Sequence, residues 1–156
     1  MINKKKIQEL KESLISKLRS PRPKWDEIWM EFAYSISRRS YDPRHQVGAV
    51  IVTTNNTQVL AVGYNGNYAG GPNEVESIEP GQSGMLHAEI NALLKMDYNV
   101  PKCKRMYVTL SPCRMCAKAI INAGIDEVIY GEAYRDASGI ELLESANIRV
   151  SAFGIS

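Results

Sequence analysis

Cysteine and histidine are scarce in this chain, at three and two residues among 156. Three cysteines cannot form the dense bridge framework of a small secreted domain, and they fit a reducing compartment better. No apolar run approaches the roughly 20 residues that a membrane-spanning helix needs. The opening Met1-Ile2-Asn3-Lys4-Lys5-Lys6 lacks the apolar block of a secretory signal, so the expected address is the cytoplasm. Charge of one sign is missing too. A formal net charge of +2 is too small to argue for nucleic acid, so neither a membrane nor nucleic acid is the expected partner. What remains is an ordinary soluble composition, 44% hydrophobic and 23% charged, long enough for one domain with a real core.

The small net charge is unevenly spread. Up to Lys24 there are eight Lys or Arg against two acids, Glu9 and Glu12, which leaves the remainder net acidic. Ile7, Leu10, Leu14 and Leu18 recur at helical spacing, predicting a helix from about Asn3 to Arg19 that stops before Ser20-Pro21-Arg22-Pro23. Its apolar stripe is expected to pack on the body or on a neighbouring subunit. The alternative is a basic arm that engages nucleic acid. Residues 1–24 are therefore read as a basic helical arm and 25–156 as the functional domain.

A second helix starts near Trp25-Asp26-Glu27 and ends around Arg39 to Pro43. Val47 to Val52 reads as a buried strand, Asn55-Asn56 as a turn, and Gln58 to Gly63 as the returning strand of a hairpin. A long loop rich in Gly, Asn, Pro and Ser follows from Asn65 to Gly84. Then come helix (Met85 to Met96), strand (Arg105 to Leu110), helix (Cys113 to Ala123), strand (Glu127 to Gly131), helix (Ala137 to Ala146) and strand (Ile148 to Phe153). The pattern predicts an α/β fold of three layers, α/β/α, with a central mixed sheet of about five strands.

Four residues carry the chemistry. Pro112-Cys113-Arg114-Met115-Cys116 sets two thiols three apart at a helix start, where the helix dipole favours thiolate. His87-Ala88-Glu89 opens the preceding helix. One imidazole and two thiolates make a three-ligand zinc site with the fourth position open, and Glu89 is a carboxylate not needed as a ligand. A closed structural zinc site would need a fourth ligand from His45 or Cys103. A redox Cys-x-x-Cys pair would leave His87 and Glu89 unexplained. Residues two apart point to opposite sides within a helix, so His87 and Glu89 can share a site only at a helix N-terminus.

His-x-Glu followed by Pro-Cys-x-x-Cys is the known signature of zinc nucleobase deaminases. With Arg39-Ser40-Tyr41-Asp42-Pro43, Gln46-Val47-Gly48-Ala49 and Gly63-Tyr64-Asn65-Gly66, the chain resembles the cytidine/deoxycytidylate deaminase superfamily from about Trp25 to Val150. Within it, the deoxycytidylate (dCMP) deaminases are the nearest. The resemblance implies one zinc ion per subunit on His87, Cys113 and Cys116, with Glu89 as proton shuttle. It also implies hydrolysis of dCMP to deoxyuridylate and ammonia for thymidylate synthesis, in a homo-oligomer.

Arg39 and Ser40 are the expected phosphate contacts, the alternative for Arg39 being a favourable charge at a helix C-terminus. Asn65 matches the position that holds sugar or base in the superfamily, with Ala88 beside it; on its own Asn65 also reads as a turn residue. Relatives acting on modified dCMP, cytosine, guanine or tRNA adenosine share the zinc motif, and a zinc-stabilised nucleic-acid-binding module is the rival from another class. The loop Asn67-Tyr68-Ala69-Gly70-Gly71-Pro72 departs from the family's nucleoside-triphosphate control pattern Gly-Tyr-Asn-Gly-x-Pro-x-Gly.

Overall fold

The computed structural model describes residues 3–18 and 21–155. Its elements are α1 (Lys4–Leu18), α2 (Trp25–Ser37), β1 (Gly48–Thr53), β2 (Val59–Tyr64), α3 (Ala88–Lys95), β3 (Lys104–Leu110), α4 (Arg114–Asn122), β4 (Glu127–Glu132), α5 (Ser138–Ser145) and β5 (Arg149–Ala152). Every residue of β1 is buried, as a strand covered on both faces requires. Its branched side chains alternate between two cores. Val50 and Val52 join Met30, Ala33 and Tyr107 under α2, whereas Ala49 and Ile51 join Ala88, Ala117, Ile120 and Leu143 under α3, α4 and α5.

The sheet order is β2-β1-β3-β4-β5. β1 is antiparallel to β2 and β3, while β3, β4 and β5 run parallel. The expected three layers and mixed five-stranded sheet are therefore present. The hairpin turn follows its sequence signal: Asn56 takes φ 60° and the Asn55 side chain accepts from Thr57 N–H at 3.2 Å. α2 stops at Ser37, sooner than expected. Ser37 Oγ donates to Tyr34 O at 2.7 Å, and Arg39 and Ser40 close a tight turn on Ile36 and Ser37.

α1 has no buried residue, and Leu10 and Leu14 stay exposed. Its apolar stripe does not pack on the body, contrary to one of the two expected placements. An ion pair of 3.7 Å joins Lys17 to Glu31 of α2, though both side chains are so exposed that it adds little. The expected helix end at Arg19 and the linker residue Ser20 lie outside the described residues. No helix among the described residues is long and apolar enough to cross a membrane.

Candidate active site

β1 enters, and β2, β3 and β4 leave, along one edge of the sheet. The segments flanking that edge build the site, as expected for the carboxyl ends of strands in an open α/β sheet. After β2 the chain loops out and returns extended, where Leu86 pairs with Gly66 through bonds of 2.8 and 3.0 Å. That pairing keeps Met85 and Leu86 out of the helix, so α3 starts at Ala88 and not at Met85. His87 becomes the N-cap residue, with φ −69° and ψ 154°. Glu89 sits in the first turn and is 4% exposed. Gly63 permits the docking: a Cβ there would lie 2.4 Å from both Ala88 O and Ala92 N.

The second half follows β3. Cys113 caps α4, and its Sγ accepts from Cys116 N–H at 3.5 Å. Two helix N-termini thus meet at the site, each a partial positive charge. His87 Nδ1 lies 3.5 Å from Cys113 Sγ and 3.3 Å from Cys116 Sγ, and the three ligand atoms lie within 4.8 Å of one another. Ordinary zinc bond lengths in a tetrahedron put nitrogen and sulfur about 3.6 Å apart, so the donor set fits zinc. Cys103 precedes β3 and Cys113 follows it, a strand of about 23 Å away, and His45 is not in the ligand group. Among the described residues the group has three ligands, which leaves a coordination position for a reactant.

The electrostatics are those of a reactive centre. Hydrogen bonds from Cys116 and then His87 pull the Cys113 thiol down to about 4. His87 is raised, chiefly by the same bond to Cys113. Burial pushes Glu89 up to about 6. His87, Ala88, Glu89 and Cys113 line a cavity of about 380 Å³, within the ordinary range for small-ligand sites. The loop from Val75 to Ser83 forms another wall, so part of the long glycine-rich loop belongs to the site.

Asn65 also lines the cavity, but its amide is engaged. It accepts from Val47 N–H at 2.8 Å and donates to His45 O at 2.7 Å. Asn65 thus braces the segment from His45 to Val47 and faces the cavity. Arg39 and Ser40 are not brought to the cavity. Ser40 is buried, its Oγ accepting from Asp42 N–H at 3.1 Å. Arg39 lines a separate space of about 200 Å³ behind Asn65 and Met85, with Tyr41, Tyr64 and Tyr68. Lining residues that sequence reasoning missed include Arg44 and Tyr134. His45 was weighed only as a metal ligand. The edge rule for strand ends would have found Tyr134, two residues beyond β4.

An open nitrogen–sulfur centre beside a buried carboxylate, set in a cavity at the edge of a mixed sheet, defines a zinc-dependent hydrolytic enzyme. Residues 23–132 match the cytidine and deoxycytidylate deaminase zinc-binding region, and the chain belongs to that family. It is 38% identical over 122 residues to the human (Homo sapiens) deoxycytidylate deaminase, covering 72% of this chain and 68% of the relative. It is 37% identical over 133 residues to the ComE operon protein 2 of Bacillus subtilis, covering 81% and 69%. Among solved structures, the dCMP deaminase of cyanophage S-TIM5 in complex with dCMP and dUMP superposes with a TM-score of 0.75. It shares 33% identity, over 86% of this chain and all of that one.

Proposed function

We propose that this protein hydrolyses deoxycytidylate to deoxyuridylate and ammonia, with one zinc ion held by His87, Cys113 and Cys116. The observation that carries the reading is the convergence of three ligand atoms within 4.8 Å of one another, with His87 and Cys113 lining a cavity that the buried Glu89 also lines. The substrate is supported by the human relative and by the cyanophage enzyme, whose structure contains dCMP and dUMP.

Bound zinc supplies Lewis acidity, which makes a nucleophilic water available near neutral pH. Glu89 moves the protons. Its carboxylate takes one from the attacking water and delivers it to the pyrimidine nitrogen next to the carbon that bears the amine. It then takes the proton of the hydroxyl newly added to that carbon and passes it to the amine as the C–N bond breaks, so that water and dCMP give dUMP and ammonia. Burial raises the Glu89 carboxyl, which favours its holding a proton between the two transfers. Ala88, fully buried in the cavity floor, is assigned to the ring, its N–H being among those the helix leaves without a partner. Asn65 is assigned to the sugar edge. Arg39 and Ser40, behind Asn65, make no direct contact in this scheme.

The same proposal takes residues 25–156 as the deaminase domain and 1–24 as an appended arm, which the absence of buried residues along α1 supports. A homo-oligomer and a cytoplasmic address belong to it as well. The exposed stripe of α1 supports the first, and zinc-spaced free thiols suit a reducing compartment. The test is ammonia release by zinc-loaded protein from dCMP, CMP, dCTP, 5-methyl-dCMP, AMP, GMP and cytosine. Turnover of dCMP above the others is the expected result. Turnover of a different member keeps the chemistry and overturns the substrate. Silence across the panel, with salt-sensitive binding to oligonucleotides, favours the binding module instead.

A further inference from the structure

Helix α1 buries none of its residues and presents an open apolar stripe. Ile7, Leu10, Leu14 and Leu18 follow one side of the helix, and Leu10 and Leu14 are 59% and 58% exposed. Lysines border the stripe, Lys6 and Lys17 along one edge and Lys4 and Lys11 along the other, while Glu9 and Glu12 take the opposite face. α2 presents a second open face. Trp25 and Ile28 are exposed there, with the exposed Glu27 and Glu31 beside them. We propose that these two faces form one docking surface for a second copy of this chain, in which α1 of each copy lies on α2 of the other. The proposal rests on the homo-oligomer reading above and names a surface that serves it. α1 precedes the matched residues 23–132, so the family match does not supply this surface.

Charge decides which helix meets which. α1 carries five lysines and two glutamates, whereas α2 carries three acids, Asp26, Glu27 and Glu31, and no lysine or arginine. Laying α1 on the second copy's α1 would set lysine borders against lysine borders. Laying α2 on α2 would set acids against acids, and both arrangements are repulsive. α1 on the second copy's α2 sets lysines against glutamates, and a two-fold axis makes the same contact twice.

The α2 face is held still, as an anchor should be. Trp25 stacks on Trp29 with centroids 5.3 Å apart and planes at 14°, and Trp29 Nε1–H donates to Asn56 Oδ1 at 3.0 Å. A half-exposed tryptophan fixed in one pose offers large contact area at small entropic cost. Lys17 lies 3.7 Å from Glu31 of its own chain, which brings the border of one face to the border of the other.

The link between the helices passes through Pro21 and Pro23, and Lys24 is extended with φ −70° and ψ 157°. The 15 residues of α1 span about 22 Å. Two reciprocal contacts of that length bury on the order of 1,000 Å², enough for a specific interface of modest size.

The experiment mixes zinc-loaded full chains grown in light and in heavy nitrogen, with subunit exchange and mass followed by native mass spectrometry. A zero-length carbodiimide then joins lysines to the carboxylates they touch, and the joined peptides are weighed. Pairs between α1 lysines and Glu27 or Glu31 should combine light with heavy as often as light with light and heavy with heavy together. Lys17–Glu31 pairs within one chain stay unmixed and serve as the internal control. Leu14→Asp on α1 and Ile28→Asp on α2 should each cut the yield of mixed pairs about tenfold or more, as a charge set into an apolar contact does. One zinc per chain in each variant shows that the domain stays folded.

An oligomeric wild type whose α1–α2 pairs are all unmixed overturns the docking and leaves the homo-oligomer standing. A wild type that is monomeric at every concentration overturns both. If Leu14→Asp loses the pairs while Ile28→Asp keeps them, the stripe lies on a surface other than α2 and the proposal falls. It falls as well if anionic vesicles or oligonucleotides capture the arm of a protein that gives no mixed pairs.

Discussion

Tyr107 has no exposed surface, and its hydroxyl sits between two elements. It donates to Asp26 Oδ1 at 2.5 Å and accepts from Arg105 Nη1 at 3.3 Å. Arg105 in turn donates to Glu127 at 2.6 Å. Asp26 is exposed at the start of α2, so the two ends of its bond with Tyr107 differ in access to water. That difference sets the expected energetics. Asp26→Ala strands a buried hydroxyl proton without an acceptor, at about 1–3 kcal/mol. It also removes an acid from the first helical turn, about 0.3–1 kcal/mol more. Tyr107→Phe removes the buried donor itself, and the exposed Asp26 recovers water, so the loss is about 0.5–1.5 kcal/mol.

For a chain of this size, Asp26→Ala should lower Tm by about 5–10 °C and Tyr107→Phe by about half as much. The double variant should fall short of the sum, since the stranded proton is gone. Thermal unfolding with urea titration checks this. An Asp26→Ala protein as stable as Tyr107→Phe, or strictly additive effects, would refute the reasoning. Burial, and then the bond to Asp26, raise the Tyr107 pKa above its ordinary value of 10.0. The stability it contributes is therefore complete below pH 10 and is lost as pH rises through the higher native value. The urea midpoint should fall above pH 10 in wild type and fall less in Tyr107→Phe; equal slopes would deny the linkage.

Glu89→Gln should keep one zinc per chain and a near-native Tm while ammonia release drops about 10²- to 10⁴-fold; full turnover with bound zinc removes Glu89 as the shuttle. Cys116→Ala deletes a ligand that is 1% exposed, so zinc per chain, measured by elemental analysis, should fall well below one and activity should vanish with it. Chelation of the wild type should do the same reversibly, with zinc restoring both. In Gly139→Ala the new Cβ would lie 2.0 Å from Pro112 O and 2.8 Å from the Cys113 carbonyl carbon. We expect a loss of about 1–3 kcal/mol or more from that overpacking. Zinc affinity should weaken too, because the strain falls on the ligand turn; an unchanged zinc Kd would show that α5 yields instead.

The metal centre was legible because its decisive features are local. A Cys-x-x-Cys at a helix start and a His-x-Glu at another need only their own turns to present the right faces. Strand β1 was legible for the same reason, through its branched run. The start of α3 was misjudged by three residues because the Gly66–Leu86 pairing is a contact across twenty positions, invisible to periodicity. Where the two arginines of this region come to lie depends on a turn in the same way. Arg39 and Arg44 are both plausible cations five residues apart, and the turn at Ser40 to Asp42 sends one behind Asn65 and the other to the cavity.

The Arg44–His45 wall of the cavity and the metal centre are joined by the register of the sheet. Ala49 faces Val108 and Val50 faces Tyr107, and Gly48 N–H reaches Thr109 Oγ1 at 3.1 Å. That pairing sets Val47, and Arg44 and His45 just before it, beside the turn that leads from Leu110 to Cys113. A slip of one residue would exchange the faces of β3, sending Tyr107 toward α3 and α4 and Met106 and Val108 toward α2. Tyr107 would lose Asp26, and both cores would lose their fit. The same alternation that fills the two cores therefore fixes the distance between a cation at the start of one strand and the ligands at the end of the next. Side chains far from the cavity hold that spacing without touching the site, so Tyr107→Phe should leave zinc per chain and dCMP turnover at the assay temperature intact even as Tm falls.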